Sequence, residues 1–165
     1  MIAESYLRTS NYDLAINHLE SSGVSNSTQK GVYQKVTFQK AVLMFNDGYF
    51  VEAKKWFRES LKYTPSWAIK DQAYFHLGEI AMRAGDYGLA LENYQSQTQI
   101  DPISDYGIGY ALYNQQKYER ALPHFRKASN NTDVTMKLDA QVRLADCLYA
   151  TKSYNEAQSL YNQIS

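Results

Sequence analysis

The three histidines are the first residues to test for chemistry, because an imidazole can bind a metal ion or move a proton near neutral pH. His76 has Glu79 three residues later, a spacing that would place both side chains on one face of a helix. His18 and His124 occupy equivalent places in two units of a repeated pattern, roughly 30 Å apart if helices stack at the usual spacing. His18 and His124 therefore cannot share a ligand. His76 is interpreted as a histidine that lines a groove or is solvated.

One cysteine and a short glycine-rich stretch are the other candidates for chemistry. Cys147 is the single cysteine, which excludes an internal disulfide and a cysteine-based metal cluster, and its position predicts a small core residue. Gly107 and Gly109 look like part of a phosphate-binding loop, but the third glycine, the Lys-Ser/Thr pair and the preceding strand are missing. Close helix packing explains Gly109 better. The sequence predicts no metal, no cofactor and no catalytic cluster, and we interpret the chain as non-enzymatic.

Charge and composition also bear on the class of partner. The 17 basic and 17 acidic side chains cancel, so bulk charge gives no case for binding nucleic acid or an anionic membrane surface. No apolar run approaches the roughly 18 residues of a membrane span, so direct membrane insertion is not expected. Tyrosine is the outlier, with 15 residues beside 6 Phe and 2 Trp. A tyrosine ring can pack between helices while its hydroxyl reaches a polar partner.

The elements that would position these side chains are clearest in residues 74–102. Apolar side chains recur there at three- and four-residue steps, which predicts two amphipathic helices. They are Tyr74, Leu77, Gly78 and Ala81 in the first helix and Tyr87, Ala90 and Tyr94 in the second. Gly85 predicts a left-handed turn between the helices, and Asp86 predicts the N-cap of the second. Asp101 and Pro102 are expected to stop that second helix.

The same pattern recurs along the chain and predicts five helical hairpins in one domain. An alanine marks the second helix of each, and these alanines are Ala15, Ala53, Ala90, Ala121 and Ala157. The predicted units are 1–29, which is incomplete at its front, 32–65, 71–102, 103–131 and 133–165, with a polar loop over 21–31. We expect a segment of a longer array, whose uncapped ends would favour self-association.

This unit resembles a tetratricopeptide repeat, whose signature is an aromatic-x-x-Leu-Gly run, then Gly-x-Tyr, an alanine, an aromatic residue and a proline about 34 residues on. The resemblance covers nearly the whole chain and is strongest over 71–102. It implies an all-α fold, a right-handed superhelical solenoid of stacked antiparallel helix pairs, and a role in holding another protein. The longer periods are similar to those of some bacterial cell-envelope members. The compartment stays open between the cytoplasm and the periplasm or cell envelope.

The resemblance also implies a binding surface, because the first helix of each unit lines a concave groove in this family. Carrying the family register over gives the implied partner-binding residues: Phe38, Phe45, Phe75, His76, Glu79, Met82, Arg83, Tyr106, Tyr110, Tyr113, Asn114, Arg143, Asp146 and Tyr149. Aromatic residues, Met and Arg are the types that anchor interfaces, so the implied ligand is a segment of a partner protein. Members that grip a carboxylate use lysines and asparagine at set places. This chain has Glu4, Val42, Glu79, Tyr110 and Asp146 there, so such a clamp is not expected.

Two alternatives remain open at this level. The groove rings could pack on each other, or on the loop 21–31, instead of on a partner. The repeats could also form a sensor or regulatory domain that binds a small ligand or serves a catalytic domain elsewhere in a longer protein. Neither alternative, nor the identity of a partner, is decided by the residues themselves.

Overall fold

The computed structural model describes residues 11–164, and over that range it is built from α-helices with no strand. The helices are α1 (Tyr12–Ser22), α2 (Ser27–Asn46), α3 (Phe50–Ser60), α4 (Trp67–Arg83), α5 (Tyr87–Gln95), α6 (Pro102–Asn114), α7 (Tyr118–Ala128), α8 (Val134–Ala150) and α9 (Tyr154–Ile164). The predicted all-α class is confirmed. The helix expected before residue 10, and with it Glu4, lies outside the described residues. No helix within residues 11–164 combines the length and apolar character that crossing a membrane requires.

The chain divides into two compact units, one ending at Ile80 and the other beginning at Ala81. In the first unit, α1 and α2 enclose a small core around Ile16 and Tyr33. A second core, around Phe57, joins α2 and α3 to the part of α4 that belongs to this unit. In the second unit each helix from α5 to α9 packs against the next in sequence.

Small residues allow the helices to approach closely, as the sequence pattern predicts. All five marker alanines are buried, as Ala15, Ala53, Ala90, Ala121 and Ala157. Gly109 lies against Phe125, because a Cβ at that glycine would stand 2.9 Å from the Phe125 ring. Close packing is therefore the role of this glycine, and the phosphate-loop interpretation stays excluded.

The turn chemistry of the middle repeat is confirmed. Gly85 has a φ of 73°, the left-handed region in which a side chain would be strained. The Asp86 carboxylate accepts a hydrogen bond from the Leu89 backbone N–H at 3.0 Å and so caps α5. At the turns of the two following hairpins, the residue with a positive φ is not a glycine but Gln116 and Lys152, respectively.

Two predicted boundaries are wrong: residues that were predicted as loop in one case, and as a helix stop in the other, start a helix instead. The polar stretch 21–31 is not one loop, because Asn26 and Gln29 form a reciprocal capping box and α2 begins at Ser27. Asp101 and Pro102 do not end α5, which already ends at Gln95. The Asp101 carboxylate accepts the Ser104 N–H at 2.7 Å, and Pro102 occupies the first turn of α6, where no backbone donor is required.

Candidate functional site

Three tyrosines of α6 form an aromatic surface in the second unit. Tyr106, Tyr110 and Tyr113 are spaced by four and three residues, so they share one face of the helix. Their ring centroids lie 6.5, 5.5 and 6.3 Å from that of Phe125 of α7, whose side chain is fully buried. All three tyrosines remain partly accessible. We call them the tyrosine cluster.

The hydroxyls of the tyrosine cluster all point to carboxylates of α8. Tyr106 donates to Asp139 Oδ2 at 2.9 Å, and Tyr110 donates to the same oxygen. Tyr113 donates to Asp146 Oδ2 at 3.3 Å. The polar end of each ring is therefore held by the next repeat, which fixes the orientation of the ring faces.

Arg143 connects the two carboxylates. Its Nη1 donates to Asp146 Oδ2 at 2.7 Å, and its Nη2 lies 3.8 Å from Asp139 Oδ1. Its Nε donates to the hydroxyl oxygen of Tyr110 at 3.0 Å. The guanidinium also lies 5.8 Å from the ring centroid of Tyr110 and 5.7 Å from that of Tyr113, within cation–π range.

A further tyrosine reaches this network from α9. The Tyr161 hydroxyl donates to Asp146 Oδ1 at 2.5 Å, so both oxygens of Asp146 are occupied. Burial, together with this hydrogen bond to the carboxylate, raises the pKa of Tyr161 to about 12.

The phenols of the cluster stay protonated because of where they lie. Burial raises the pKa of Tyr106 and of Tyr110, and their hydrogen bonds to the Asp139 carboxylate raise it further. Burial and the negative charge of Asp146 raise the pKa of Tyr113 in the same way. The three hydroxyls therefore act as donors across the physiological pH range, and no activated phenolate is available for chemistry.

The remaining residues predicted for the second unit lie at the edge of this network or apart from it. Tyr149 is 62% exposed and forms an edge-on pair with Tyr154, with ring centroids 5.2 Å apart. The Asn114 amide donates to the Tyr110 carbonyl at 2.9 Å within its own helix. Met82 and Arg83 lie in the last turn of α4, the first partly buried and the second exposed.

The residues predicted for the first unit form a second aromatic group around His76. Phe38 is 6% exposed and belongs to the core rather than to a surface, because the register of α2 turns it toward Phe57. Phe45 and Phe75 are partly buried and lie 4.9 and 5.5 Å from the His76 ring. Glu79, also predicted, is partly buried on α4.

His76 is partly buried among aromatic rings rather than solvated. Its ring stacks on Phe57 at 4.9 Å with an interplanar angle of 10°, and within residues 11–164 its buried Nδ1 has no hydrogen-bond partner. Burial lowers the pKa of His76, so the folded state holds the imidazole neutral.

This environment predicts that acid destabilises the first unit. The unfolded chain takes up a proton on His76 near its ordinary pKa of about 6.5, whereas the folded chain resists that proton. The free energy of unfolding should therefore fall as the pH drops below about 6.5. His76→Phe keeps an aromatic ring at this position. It should reduce the change in the free energy of unfolding, measured by urea unfolding, between about pH 7 and about pH 5.

His18→Gln is the matched control for that measurement, because this histidine of α1 is partly exposed. It should reproduce the pH dependence of the wild-type chain. An unchanged slope in the His76→Phe variant would show that another group is responsible.

Two residues of the network, Asp139 and Tyr161, were missed by sequence analysis. Asp139, Arg143 and Asp146 are spaced by four and three residues, so the pattern of one helical face could have indicated Asp139. No spacing within a repeat could have indicated Tyr161, because its contact depends on how α9 packs against α8.

The described residues offer little to bind a metal or activate a nucleophile. Within residues 11–164 no three His, Cys, Asp or Glu side chains are placed to hold a metal ion. Cys147 is buried, and burial raises the pKa of its thiol to about 12. His124 is paired through Nδ1 with the buried carboxylate of Asp105 at 2.8 Å. Cys147 therefore serves packing, and His124 serves internal hydrogen bonding.

Comparison with known proteins agrees with this architecture. A family model described as tetratricopeptide repeat matches residues 77–133 and 106–164, which together span more than half of the chain. No curated protein is similar enough in sequence to count as a match.

Solved structures with a similar fold share little sequence identity with this chain. MamA from Desulfovibrio magneticus RS-1, residues 41 to its end, has a TM-score of 0.65 at 17% identity, with 99% of this chain and 89% of that chain covered. The C-terminal part of a repeat protein from Cytophaga hutchinsonii has a TM-score of 0.63 at 21% identity, covering 99% of this chain and 62% of that one. Repeats of a putative kinesin light chain from Podosopora anserina have a TM-score of 0.58 at 15% identity, with 99% of this chain and 90% of that chain covered.

Successive helix pairs with small residues where the helices cross define a helical-repeat protein. The chain belongs to the tetratricopeptide repeat family. Members of this family are generally non-catalytic scaffolds that bind other proteins.

Proposed function

We propose that this protein is a non-enzymatic interaction module that holds a segment of a partner protein against the tyrosine cluster. The observation that carries the proposal is the geometry of that cluster. Three partly accessible rings share one helix face, and a hydrogen-bonded network of α8 fixes each of them.

Preorganisation of this kind lowers the entropic cost of binding. A free tyrosine side chain loses rotamer freedom when a partner immobilises it, which costs roughly 0.5–1.5 kcal/mol per side chain. In this cluster the rings are already held by Asp139 and Asp146 on one side and by Phe125 beneath. A partner segment therefore meets a surface that is ordered before it binds.

Exposed aromatic and polar side chains extend this surface. Tyr149 is largely exposed one turn beyond Asp146 on α8, and Asn114 is exposed at the end of α6. Burial of large surface rings by a partner protein is energetically favourable. We include both residues in the proposed contact surface of the second unit.

Truncation of the tyrosines tests the proposal. Tyr110→Ala and Tyr113→Ala should each weaken binding by about 1–2 kcal/mol, because each removes a ring that is proposed to anchor the interface. The partner is first captured from the source cell and identified by mass spectrometry, and its dissociation constant is then measured with purified components by calorimetry. Circular dichroism of each variant confirms that the helices remain.

The control for this experiment must lie away from both the cluster and the core. His18→Ala meets that condition, because His18 is a partly exposed residue of α1 in the other unit. His124→Ala does not, because within residues 11–164 it would leave Lys127, at 3.5 Å, as the one side chain paired with the buried Asp105 carboxylate. A partner that binds both tyrosine variants as tightly as the wild-type chain would exclude the cluster as its site.

Self-association, which the sequence predicts, also remains a proposal. Tyr149, Tyr154 and Tyr161 line an open cleft of about 520 Å³ beside α9. A second copy could cover these rings, and sedimentation should then show a dimer whose population rises with concentration. Tyr154→Ser should shift that equilibrium toward the monomer, and a strictly monomeric wild-type chain at high concentration would contradict the idea.

A further inference from the structure

The hydrogen-bonded network beneath the tyrosine cluster has an unequal number of charges. Two carboxylates, Asp139 and Asp146, share the single guanidinium of Arg143. The tyrosines of the cluster are neutral donors. The side chains that hydrogen-bond to one another there therefore carry one net negative charge, although the chain as a whole has a formal net charge of +0.

The positive charge of Arg143 is offset within the network. Its Nε donates to Tyr110 and its Nη1 to Asp146, and its Nη2 lies 3.8 Å from Asp139 Oδ1. A partner carboxylate that approached this guanidinium would meet the two negative charges of Asp139 and Asp146 at close range, which disfavours an acidic ligand.

Asp139 can accept a further hydrogen bond, because one of its two oxygens is poorly satisfied. Its Oδ2 accepts both Tyr106 and Tyr110, whereas the nearest cation to its Oδ1 within the described chain is Arg143 Nη2 at 3.8 Å. That distance is too long for a direct hydrogen bond. About a third of the Asp139 side chain is exposed, at 33%, so a side chain of a partner can approach this residue.

The surroundings of Asp139 Oδ1 suit a cation in particular. The rings of Tyr106 and Tyr110 lie edge-to-face with centroids 4.8 Å apart, and both hydroxyls end on the same carboxylate. A guanidinium or ammonium that bonds to Asp139 would lie beside these two rings, where a cation–π attraction can add to the charge-assisted hydrogen bond. Arg143 makes a related pair of contacts from within the chain, because it bonds to Asp146 and lies near the rings of Tyr110 and Tyr113.

We propose that the partner segment is basic and that it places an arginine or lysine side chain against Asp139 and the faces of Tyr106 and Tyr110. This inference rests on the proposed function and specifies the chemistry of its ligand. It distinguishes this surface from a carboxylate-binding groove, because the charge that the surface selects has the opposite sign.

Two synthetic peptides test the charge preference. Both have the same length and the same Gly-Ser frame, and one carries arginines where the other carries glutamates. The arginine peptide should shift the NMR signals of the Arg143 Nε–H and of the α8 amides from Asp139 to Arg143, whereas the glutamate peptide should leave them in place. Equal binding of the two peptides would overturn the inference.

Matched carboxylate variants separate a local site from bulk charge. Asp139→Asn should weaken binding of the arginine peptide roughly tenfold, because a charge-assisted hydrogen bond is lost. Glu156→Gln removes the same charge from an exposed carboxylate of α9, 67% exposed, that lies 3.8 Å from Arg126, and should change affinity by less than about twofold. Equal losses in the two variants, or none in Asp139→Asn, would contradict the assignment. Asp139→Glu, which restores the charge, should recover binding and shows that the fold is not the cause.

The captured partner distinguishes failure of this inference from failure of the proposed function. If Tyr110→Ala leaves the partner bound, the tyrosine cluster is not the binding surface and the proposed function fails. If Tyr110→Ala releases the partner but Asp139→Asn does not weaken it, the cluster binds a partner without selecting a basic side chain. Only the charge assignment is then wrong.

Discussion

Phe125→Ala is expected to lower the free energy of unfolding of the second unit by about 3–5 kcal/mol. Phe125 is fully buried on α7, and the three rings of the tyrosine cluster pack against it within 6.5 Å. Truncation removes the apolar contacts of the phenyl ring and leaves a cavity that fixed neighbours cannot fill. Hydrogen exchange of the α6 and α7 amides measures the loss in the unit concerned.

The same variant should disturb the binding surface, because the tyrosine cluster would lose its support. Leu138→Ala is the control for both effects, since Leu138 of α8 is 43% exposed and its removal should change stability by no more than about 0.5 kcal/mol. Protection of the α6 amides that is equal in the two variants would show that the phenyl ring does not hold the cluster.

The features of the fold that were predicted correctly are those encoded within a single repeat. The three- and four-residue spacing of apolar residues fixes which face of each helix is buried, and small residues mark where two helices cross. The left-handed turn at Gly85 and the cap at Asp86 are also local, because each depends on a few consecutive residues. Local rules of this kind can be applied to one sequence without knowledge of its neighbours.

The errors at helix ends have a physical cause. Asp, Asn and Pro are compatible with the end of one helix and with the start of the next, so their presence indicates a boundary but not its direction. Asp101 and Pro102 were assigned to the end of α5, whereas the structure uses them to start α6. The geometry of the first backbone N–H groups decides the matter, and the sequence does not display that geometry.

The candidate site was predicted only in part, because its network connects neighbouring repeats. The register of the family indicated that Tyr106, Tyr110 and Tyr113 share a face. It did not indicate that each hydroxyl would meet a carboxylate of α8, because that contact depends on the rotation of one helix against the next. Phe38 shows the opposite case, in which a residue assigned to the groove lies in the core.

Gly107→Ala is expected to destabilise the second unit by about 2–3 kcal/mol, although alanine is the better helix former. A Cβ at Gly107 would stand 2.6 and 2.8 Å from two ring carbons of Tyr94 and 2.9 Å from its hydroxyl oxygen, closer than van der Waals contact allows. Tyr94 is fully buried on α5, so its ring cannot swing into solvent. Relief therefore requires α5 and α6 to move apart, which weakens the packing on both helices. Thermal unfolding and hydrogen exchange of α5 and α6 measure the result.

Gly31→Ala is the matched control, because it makes the same substitution inside α2 where space is available. A Cβ there would meet Pro65 at 3.9 Å, an ordinary contact distance. The helix propensity of alanine should then act alone and raise stability by about 0.5–1 kcal/mol. The two variants should thus change stability in opposite directions. If Gly107→Ala also stabilises the protein, the close approach of α5 and α6 at Tyr94 is wrong, and with it the helix crossing that positions the first turns of α6 and its tyrosines.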